Sequence, residues 1–447
     1  MRLNRPDSLH VAMVPFVGFR IGEARMLELG MALPGLRARA DAIAQLPALG
    51  LLTLAGMTPA HWEVSYHEVD GDDVESLTHQ VMRRRPNVVA VSALTASVES
   101  AYRFMDLVRQ QGVPVVFGGL HATTCPDEAE QYCDAVVIGE GEPVWIKVLD
   151  DVEHGCLRRR YKAEKPFDLA EAPVPRTELL SCRARPRFTL QTQRGCPLAC
   201  DFCGASRLLG GFREKPINRV ADELAAIRAN DQRPTVELAD DNTFAGRRDP
   251  RELFDVLKGV NVRYFTESDW RIGERPEVLE GLADSGCVQV LVGIESLVSR
   301  HAGMGAKRAT NERVMRAVEK IQQAGVAVIG CFILGADGET RESIDDLVRF
   351  LESCPLADVQ LTVQTPFPGT ALYRQLLSHG RLRPECGWRH FSLFDVTYQP
   401  DGMSAVELQD AFHAAVREVF SPVNTQRRNE IRRAIWANRF QEQSCES

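Results

Sequence analysis

The sequence has no long apolar run. Its longest nearly apolar stretch, Leu46–Met57, falls well short of the roughly 20 residues that a membrane-spanning helix requires. It has no excess of positive charge either. Lys and Arg number 53 against 61 Asp and Glu, a net charge of −8, which offers nucleic acid or an anionic membrane no general attraction. The basic clusters Arg83–Arg85 and Arg158–Arg160 are short and far apart, and are read as solvated faces. No signal peptide is evident, because the apolar run after the N-terminal Met-Arg-Leu-Asn-Arg-Pro is cut by Arg20. Neither G-x-G-x-x-G nor a Walker A motif occurs, so the glycine-rich phosphate fingerprints are missing.

Cysteine, by contrast, is not scarce. There are 12, and a disulfide framework would need an oxidising compartment. The expectation is therefore a reducing cytoplasm and free thiols. Three of the twelve stand apart from the rest: Cys196, Cys200 and Cys203, spaced C-x3-C-x2-C in Gly195-Cys196-Pro197-Leu198-Ala199-Cys200-Asp201-Phe202-Cys203-Gly204. They follow an alternating run with Phe188 and Leu190 that reads as a strand, and Gly195 and Pro197 suit a tight turn leaving it. Thiolates this close can wrap one metal centre from a single loop. A structural zinc site wants paired C-x2-C units or a nearby histidine pair, and neither is present. A four-iron cluster normally takes four thiolates, yet the next cysteine along the chain is Cys287. Three ligands on four irons leave one iron open, and an open position is the mark of a working site. Cys125, Cys133, Cys156, Cys182, Cys287, Cys331, Cys354 and Cys445 show no ligand spacing and are read as core or surface thiols; the twelfth, Cys386, clusters with Trp388, His390 and Phe391 ahead of the C-terminal helical pattern.

The motif C-x3-C-x-Φ-C, with Phe202 as the aromatic residue, resembles the signature of the radical S-adenosylmethionine (SAM) superfamily. The resemblance implies that Cys196, Cys200 and Cys203 hold a 4Fe–4S cluster. It further implies that SAM chelates the open iron, with Phe202 and Gly204 beside it.

A chain of 447 residues makes two or three domains. Over 1–150, short β-branched runs alternate with helical stretches. Strands are expected at 10–18, Glu63–His67, Asn87–Ser92, Val113–Gly118 and Asp134–Ile138. Helices are expected at Leu46–Met57, where Pro47 fits a first turn, and at Val74–Arg84, Val98–Gln111 and from Pro143. Such alternation predicts an α/β fold, a Rossmann-like doubly wound sheet whose ligands bind at the carboxyl ends of the strands. Three loops fall there: Ser92-Ala93-Leu94-Thr95, Gly118-Gly119-Leu120-His121 and Gly139-Glu140-Gly141-Glu142. Taken singly, each is explained about as well by turn chemistry. In this order, with Pro47-Ala48-Leu49-Gly50-Leu51, they are similar to the cobalamin-binding domain found ahead of many radical SAM modules. That resemblance makes Ser92, Leu94, Thr95, Gly118, Gly119, His121, Gly139 and Gly141 candidates for cobalamin contacts. The D-x-H-x-x-G motif that supplies a cobalt-ligating histidine in some cobalamin enzymes is absent, so no lower axial ligand is expected from it.

Residues 151–186 carry Arg158–Arg160, Lys162, Lys165 and four prolines, Pro166, Pro173, Pro175 and Pro186, and read as a connector. From 187 to 385 a strand–helix alternation restarts. Strands are expected at Phe188–Gln193, Thr235–Ala239, Arg263–Ser268, Val288–Glu295, Val326–Leu334 and Val359–Thr365, with helices such as Val220–Arg228, Glu277–Asp284, Asn311–Ala324 and Ser343–Cys354. Six β/α units look like the superfamily's partial (β/α)6 TIM-like barrel, whose chemistry sits at the C-terminal strand ends. Candidate SAM contacts there are Asp240 and Asn242, Gly293, Glu295 and Ser296, and Gly330 and Ile333 of a G-x-I-x-G-like stretch. Residues 386–447, with a helical pattern at Ala405–Phe420 and a basic tail Arg427–Arg439, are expected to form a small helical C-terminal cap.

The resemblance implies a 5′-deoxyadenosyl radical made from SAM, and most directly methylation of an unactivated carbon, or phosphorus, of a small molecule or natural product by way of cobalamin. It also implies an electron donor such as flavodoxin or ferredoxin. Cyclisation or rearrangement without methyl transfer is the alternative. A plain electron carrier fits less well, since it would complete its cluster with a fourth thiolate. No individual catalytic side chain is assigned.

Overall fold

The computed structural model describes residues 9–17, 25–26, 28–29, 33, 46–69, 73–180, 187–204, 208, 210–297, 307 and 309–445, without the side chains of 187 and 438–445. Cys182 and Pro186 lie outside the described residues, as does the side chain of Cys445. The chain divides into two compact units, the first built mainly from Leu46–Pro186 and the second mainly from Gly211–Ser447 together with Arg187–Arg207.

The first unit is a six-stranded parallel sheet. In chain order its elements are β1 (Leu9–Phe16), α1 (Leu49–Met57), β2 (Trp62–Tyr66), α2 (Val74–Met82), β3 (Val88–Ala93), α3 (Val98–Gln110), β4 (Val115–Gly118), α4 (Leu120–Thr124), α5 (Pro126–Ala129), β5 (Ala135–Ile138), α6 (Glu142–Glu153) and β6 (Arg160–Lys162). The spatial order β2-β1-β3-β4-β5-β6 reverses direction between β1 and β3, which opens a crevice at the strands' C-terminal ends. Near-continuous apolar strands such as VVAVSA (β3) are what a sheet covered on both faces requires. One covering layer joins Val11, Met13, Val88 and Val116 of the sheet to Leu51 of α1 and Trp145 of α6. Trp145 also donates Nε1–H to Thr58 Oγ1 at 3.0 Å.

Residues 151–186, expected as a connector, are part of this unit as far as they are described. Glu142–Glu153 completes α6, and β6 adds the sixth strand, pairing Tyr161 with Val137. Tyr161 is buried between exposed Arg160 and Lys162, so one apolar residue among charges hid the strand from pattern reading. Further on, Glu140 Oε2 accepts Phe167 N–H at 2.6 Å, and Arg176 N–H donates to Leu52 O at 3.0 Å.

The second unit is also a six-stranded parallel sheet. It runs β7 (Arg187–Leu190), a β8/β9 ribbon (Gln193–Arg194 and Arg213–Glu214), α7 (Ile217–Asn230), β10 (Thr235–Leu238), α8 (Pro250–Val260), β11 (Arg263–Asp269), α9 (Pro276–Asp284), β12 (Cys287–Glu295), α10 (Asn311–Gln323), β13 (Ala327–Leu334), α11 (Arg341–Ser353), β14 (Asp358–Val363), α12 (Ala371–Ser378), α13 (Ala405–Val419) and α14 (Pro422–Cys445). Strand order is β7-β10-β11-β12-β13-β14, so neighbours in sequence are neighbours in space. This is an open β/α half-barrel. One face is fully buried under helices through Val236, Tyr264, Val290, Val292, Phe332 and Leu361. The opposite face is more open and polar, with half-buried Glu237, Glu267, Gln289 and Gln360 among Phe265, Leu291 and Ile333.

The expected strand Phe188–Gln193 stops at Leu190, and Gln193 starts the β8/β9 ribbon instead. The expected basic tail is a 24-residue helix, α14. Its Ile431, Ile435 and Trp436 pack against Ala327 and Ala357 near the N-terminal ends of β13 and β14. Its arginines serve carbonyls and a carboxylate. Arg427 Nη2 donates to Leu351 O at 2.9 Å, Arg428 Nη1 to Val419 O at 2.7 Å, and Arg432 Nη1 lies 3.0 Å from Asp358 Oδ2. The first two carbonyls lie at the C-terminal ends of α11 and α13, where cations are favoured.

Candidate functional site

In the second unit the three cysteines share one loop, and Asp240 holds its root. Asp240 is buried (3% exposed). Its carboxylate accepts from Thr192 N at 2.8 Å, Thr192 Oγ1 at 2.6 Å, Gln193 N at 3.1 Å and Thr243 Oγ1 at 3.1 Å. These bonds draw the chain out of β7's line two residues after the strand ends. Gly195 then turns it with φ +77, where an added Cβ would meet Gly211 O at 3.0 Å; a side chain would be strained twice over there. Cys196, Cys200 and Cys203 follow. All are half-buried and none is in a disulfide. Cys203 N–H donates to Cys200 O at 3.2 Å, and Leu372 N–H of α12 ties down Asp201 O at 2.9 Å.

Burial pushes the Cys196 and Cys200 thiols up from their ordinary pKa, while Lys307 pulls both the other way and the Asn242 amide opposes the shift at Cys196. A thiol left protonated by its surroundings is one that a metal cation deprotonates outright. Among the described residues no three His, Cys, Asp or Glu side chains converge on a single ion; in an iron–sulfur cluster each thiolate takes its own iron. Three soft donors on a pinned turn fit such a group.

Asn242 is buried next to this loop. Its Nδ2 lies 3.9 Å from Cys196 Sγ and 2.9 Å from Asp269 Oδ2. Its Oδ1 accepts from Ser268 Oγ at 3.0 Å, and its backbone oxygen accepts from Gln193 Nε2 at 2.5 Å. Asp269 in turn grips Arg271 with two 2.7 Å bonds. Burial alone would raise Asp269, but Arg271 and Asn242 hold it below the usual carboxylate range.

At the end of β12 the pairing with β13 shifts between Gly293 and Glu295. Glu295 takes the left-handed φ +71, unusual for a side chain with a Cβ. Its carboxylate pairs with Lys307 Nζ, and both residues are buried (6% and 9% exposed). Burial alone would lower Lys307, yet the charge of Glu295 carries its pKa above the ordinary value. Ser296 Oγ donates to Glu339 Oε1 at 2.8 Å, and Glu339 Oε2 accepts Gly335 N–H at 2.7 Å. Tyr398 OH donates to Gly335 O. Phe202 and Gly204 are half-buried on the cysteine loop, and Ile333 is half-buried on the open face of β13. Gly330 points the other way: an added Cβ would meet Leu356 Cδ1 at 2.8 Å, so the helix layer takes up the room it leaves.

In the first unit, the loops after β3, β4 and β5 lie together at the C-terminal edge of the sheet. Ser92 is in register with Gly118. Gly119 has φ +93, and a Cβ there would fall 2.6 Å from Ser92 Oγ. Leu94 N–H donates to Phe16 O at 3.1 Å. His121 is wholly buried: Nε2 is 3.1 Å from Tyr102 OH and Nδ1 is 3.4 Å from Thr95 Oγ1. As placed, it shapes the loop from within. Gly139, with φ +85, has open space where a Cβ would be, and its N–H donates to Thr123 Oγ1 at 3.0 Å. Gly141 faces Leu54 of α1 at 3.3 Å.

Reading by pattern missed Lys307, Glu339, Asp269, Arg271 and Tyr398. Glu339 alone had a local signal, a carboxylate four residues beyond Gly335. The others are brought in by the fold.

The family model described as Radical SAM superfamily matches residues 190–351, and the one described as B12 binding domain matches residues 38–147. Bacteriochlorophyllide d C-12(1)-methyltransferase of Chlorobaculum tepidum is 28% identical over 345 residues, 75% of this chain and 75% of that protein. Bacteriochlorophyllide d C-8(2)-methyltransferase of the same organism is 27% identical over 335 residues, 70% of this chain and 73% of that protein. Among solved structures, the radical S-adenosylmethionine methyltransferase TsrM from Kitasatospora setae, determined with cobalamin and a 4Fe-4S cluster bound, shares the fold at a TM-score of 0.65. It is 15% identical, over 94% of this chain and 90% of that one.

With the half-barrel and its three-cysteine loop, these findings define a radical SAM protein. More particularly, the chain joins a B12-binding domain to a radical SAM domain, and the cofactors these two domains imply are cobalamin, a 4Fe–4S cluster and SAM.

Proposed function

We propose that this enzyme methylates an unactivated carbon of a small molecule with an apolar body and polar substituents. The observation that carries the proposal is the pairing, in one chain, of a three-thiol loop with a B12-binding sheet. The methyltransferase relatives named above support it. When bound, the cluster, SAM and cobalamin would supply one-electron reduction, hydrogen abstraction from an unacidic position and a methyl group.

The chain's own residues do the rest. Cys196, Cys200 and Cys203 hold the cluster. Asp240 and Gly195 fix the loop that carries them, and Asn242 aims an N–H at the first sulfur. Phe202, Gly204, Glu295, Ser296 and Ile333 border SAM. The loops at Ser92–Thr95, Gly118–His121 and Gly139–Gly141 bear on cobalamin, with the glycines admitting close approach of a ring to backbone. The open face of the half-barrel, where Phe265, Leu291 and Ile333 alternate with Glu237, Glu267, Gln289 and Gln360, receives a substrate of mixed polarity and sheds water from around it. A flavodoxin or ferredoxin is the electron donor, in a reducing cytoplasm where the thiols survive. No helix among the described residues is long and apolar enough to cross a membrane.

The test is anaerobic reconstitution with iron, sulfide and hydroxocobalamin, followed by incubation with SAM, dithionite and a panel of candidate substrates. Deoxyadenosine and S-adenosylhomocysteine rising together mark methylation. Deoxyadenosine alone would overturn it in favour of cyclisation or rearrangement.

A further inference from the structure

The Lys307–Glu295 pair is costly to bury, because two desolvated charges seldom stabilise a fold as well as apolar residues of the same size. The chain nevertheless builds for it. Glu295 is held in a left-handed conformation at a register shift. Gly293 lacks the side chain that would obstruct the pair, since a Cβ there would lie 2.5 Å from both Glu295 Oε1 and Lys307 Nζ. Trp270, 1% exposed, donates its Nε1–H to Lys307 O at 2.8 Å and fixes the lysine's backbone. Gly293 is in register with Asp269, which holds the Asn242 amide that touches Cys196 Sγ. The Lys307 charge also opposes the upward push that burial gives the Cys200 and Cys196 thiols.

We propose that Lys307, held in place by Glu295, is a fixed buried cation that raises the reduction potential of the cluster on Cys196, Cys200 and Cys203. The inference rests on those cysteines holding a 4Fe–4S cluster. The physical reason is charge. Adding one electron to a cluster makes it more negative, and a nearby ammonium in a water-poor setting favours that state. Glu295 keeps the cation aimed while offsetting part of its field. Lys307 is thus a positioning residue, acting through the cluster's electron affinity.

The experiment is a redox titration of the reconstituted full-length protein without SAM, with dithionite supplying the electron and electron paramagnetic resonance reading the reduced cluster. Iron per chain is measured in parallel. Lys307→Met shifts the midpoint to lower potential, Glu295→Gln shifts it to higher potential, and Lys307→Arg keeps the charge and the wild-type value. If Lys307→Met alone does not fold, Lys307→Met/Glu295→Gln removes both charges at once, and its midpoint lies below that of Glu295→Gln. Midpoints that stay at the wild-type value in iron-replete Glu295→Gln and the double variant overturn the inference and leave the cluster assignment standing. A wild-type protein with no reducible four-iron signal overturns both.

Discussion

Asn242 Nδ2 lies 3.9 Å from Cys196 Sγ, so one amide from the loop after β10 touches the first thiol of the cysteine loop. The same amide group accepts from Ser268 and donates to Asp269. Asn242→Ala therefore leaves a buried carboxylate and a hydroxyl short of a partner. A loss of about 2 kcal/mol is expected, with less iron retained per chain after reconstitution. Thermal unfolding and iron analysis read the two effects; a variant matching wild type in both would remove Asn242 from the account.

Asp240 makes four bonds to the root of the loop. In Asp240→Asn the amide oxygen keeps the two backbone N–H groups, but the charge that four donors face is lost and two threonine hydroxyls must turn from donating to accepting, at a cost of about 2 kcal/mol. The expected result is lost iron loading with unchanged cobalamin absorbance, because cobalamin belongs to the other unit. Cobalamin lost in step with iron would contradict that separation.

Gly119→Ala tests the cobalamin loops. Alanine must take φ +93 and meet Ser92 Oγ at 2.6 Å, a strain of about 1–3 kcal/mol. Visible spectra should show weaker cobalamin retention, while iron content stays at the wild-type level. Full cobalamin retention would mean the loop after β4 does not bear on the corrin.

The first unit also contains a buried chain of two imidazoles and a hydroxyl: His10 Nε2 and His67 Nε2 each lie 2.8 Å from Ser65 Oγ. Burial lowers His67 from 6.5 to about 4, helped by Arg84 and His10, and burial lowers His10 as well. A histidine with a lowered folded pKa is protonated first in the unfolded chain. Its contribution is whole above pH 6.5, falls as pH drops from 6.5 to 4, and is flat below. For His67 the loss amounts to about 3 kcal/mol. Denaturant unfolding from pH 7 to pH 4 should show it, and His67→Gln should flatten the slope. An equal slope in the variant would assign the acid sensitivity elsewhere.

Much of this was readable in advance, and the failures have physical causes. The cysteine loop was legible because its chemistry is local: three thiols, a glycine and a proline within a few residues. Both parallel sheets were legible because each strand is a short β-branched run set between helical periods. β6 was not, since a three-residue edge strand with a single buried tyrosine carries no period. The helical C-terminus was expected, but the partners of the basic run in α14 were not legible, because Arg427, Arg428 and Arg432 reach Leu351, Val419 and Asp358, which are distant in sequence from that run or set by the fold. Lys307 could not be tied to Glu295 by spacing, because the connection runs through a register shift in β12 and the indole of Trp270. Gly330 was in the expected motif, but its side of β13 shows only in the fold.

The most direct test of the central claim is deoxyadenosine formation by the anaerobically reconstituted full-length protein given SAM and dithionite, compared with Cys200→Ala treated in the same way. The account predicts deoxyadenosine from wild type and none above the protein-free control from the variant. Undiminished deoxyadenosine from Cys200→Ala would contradict it.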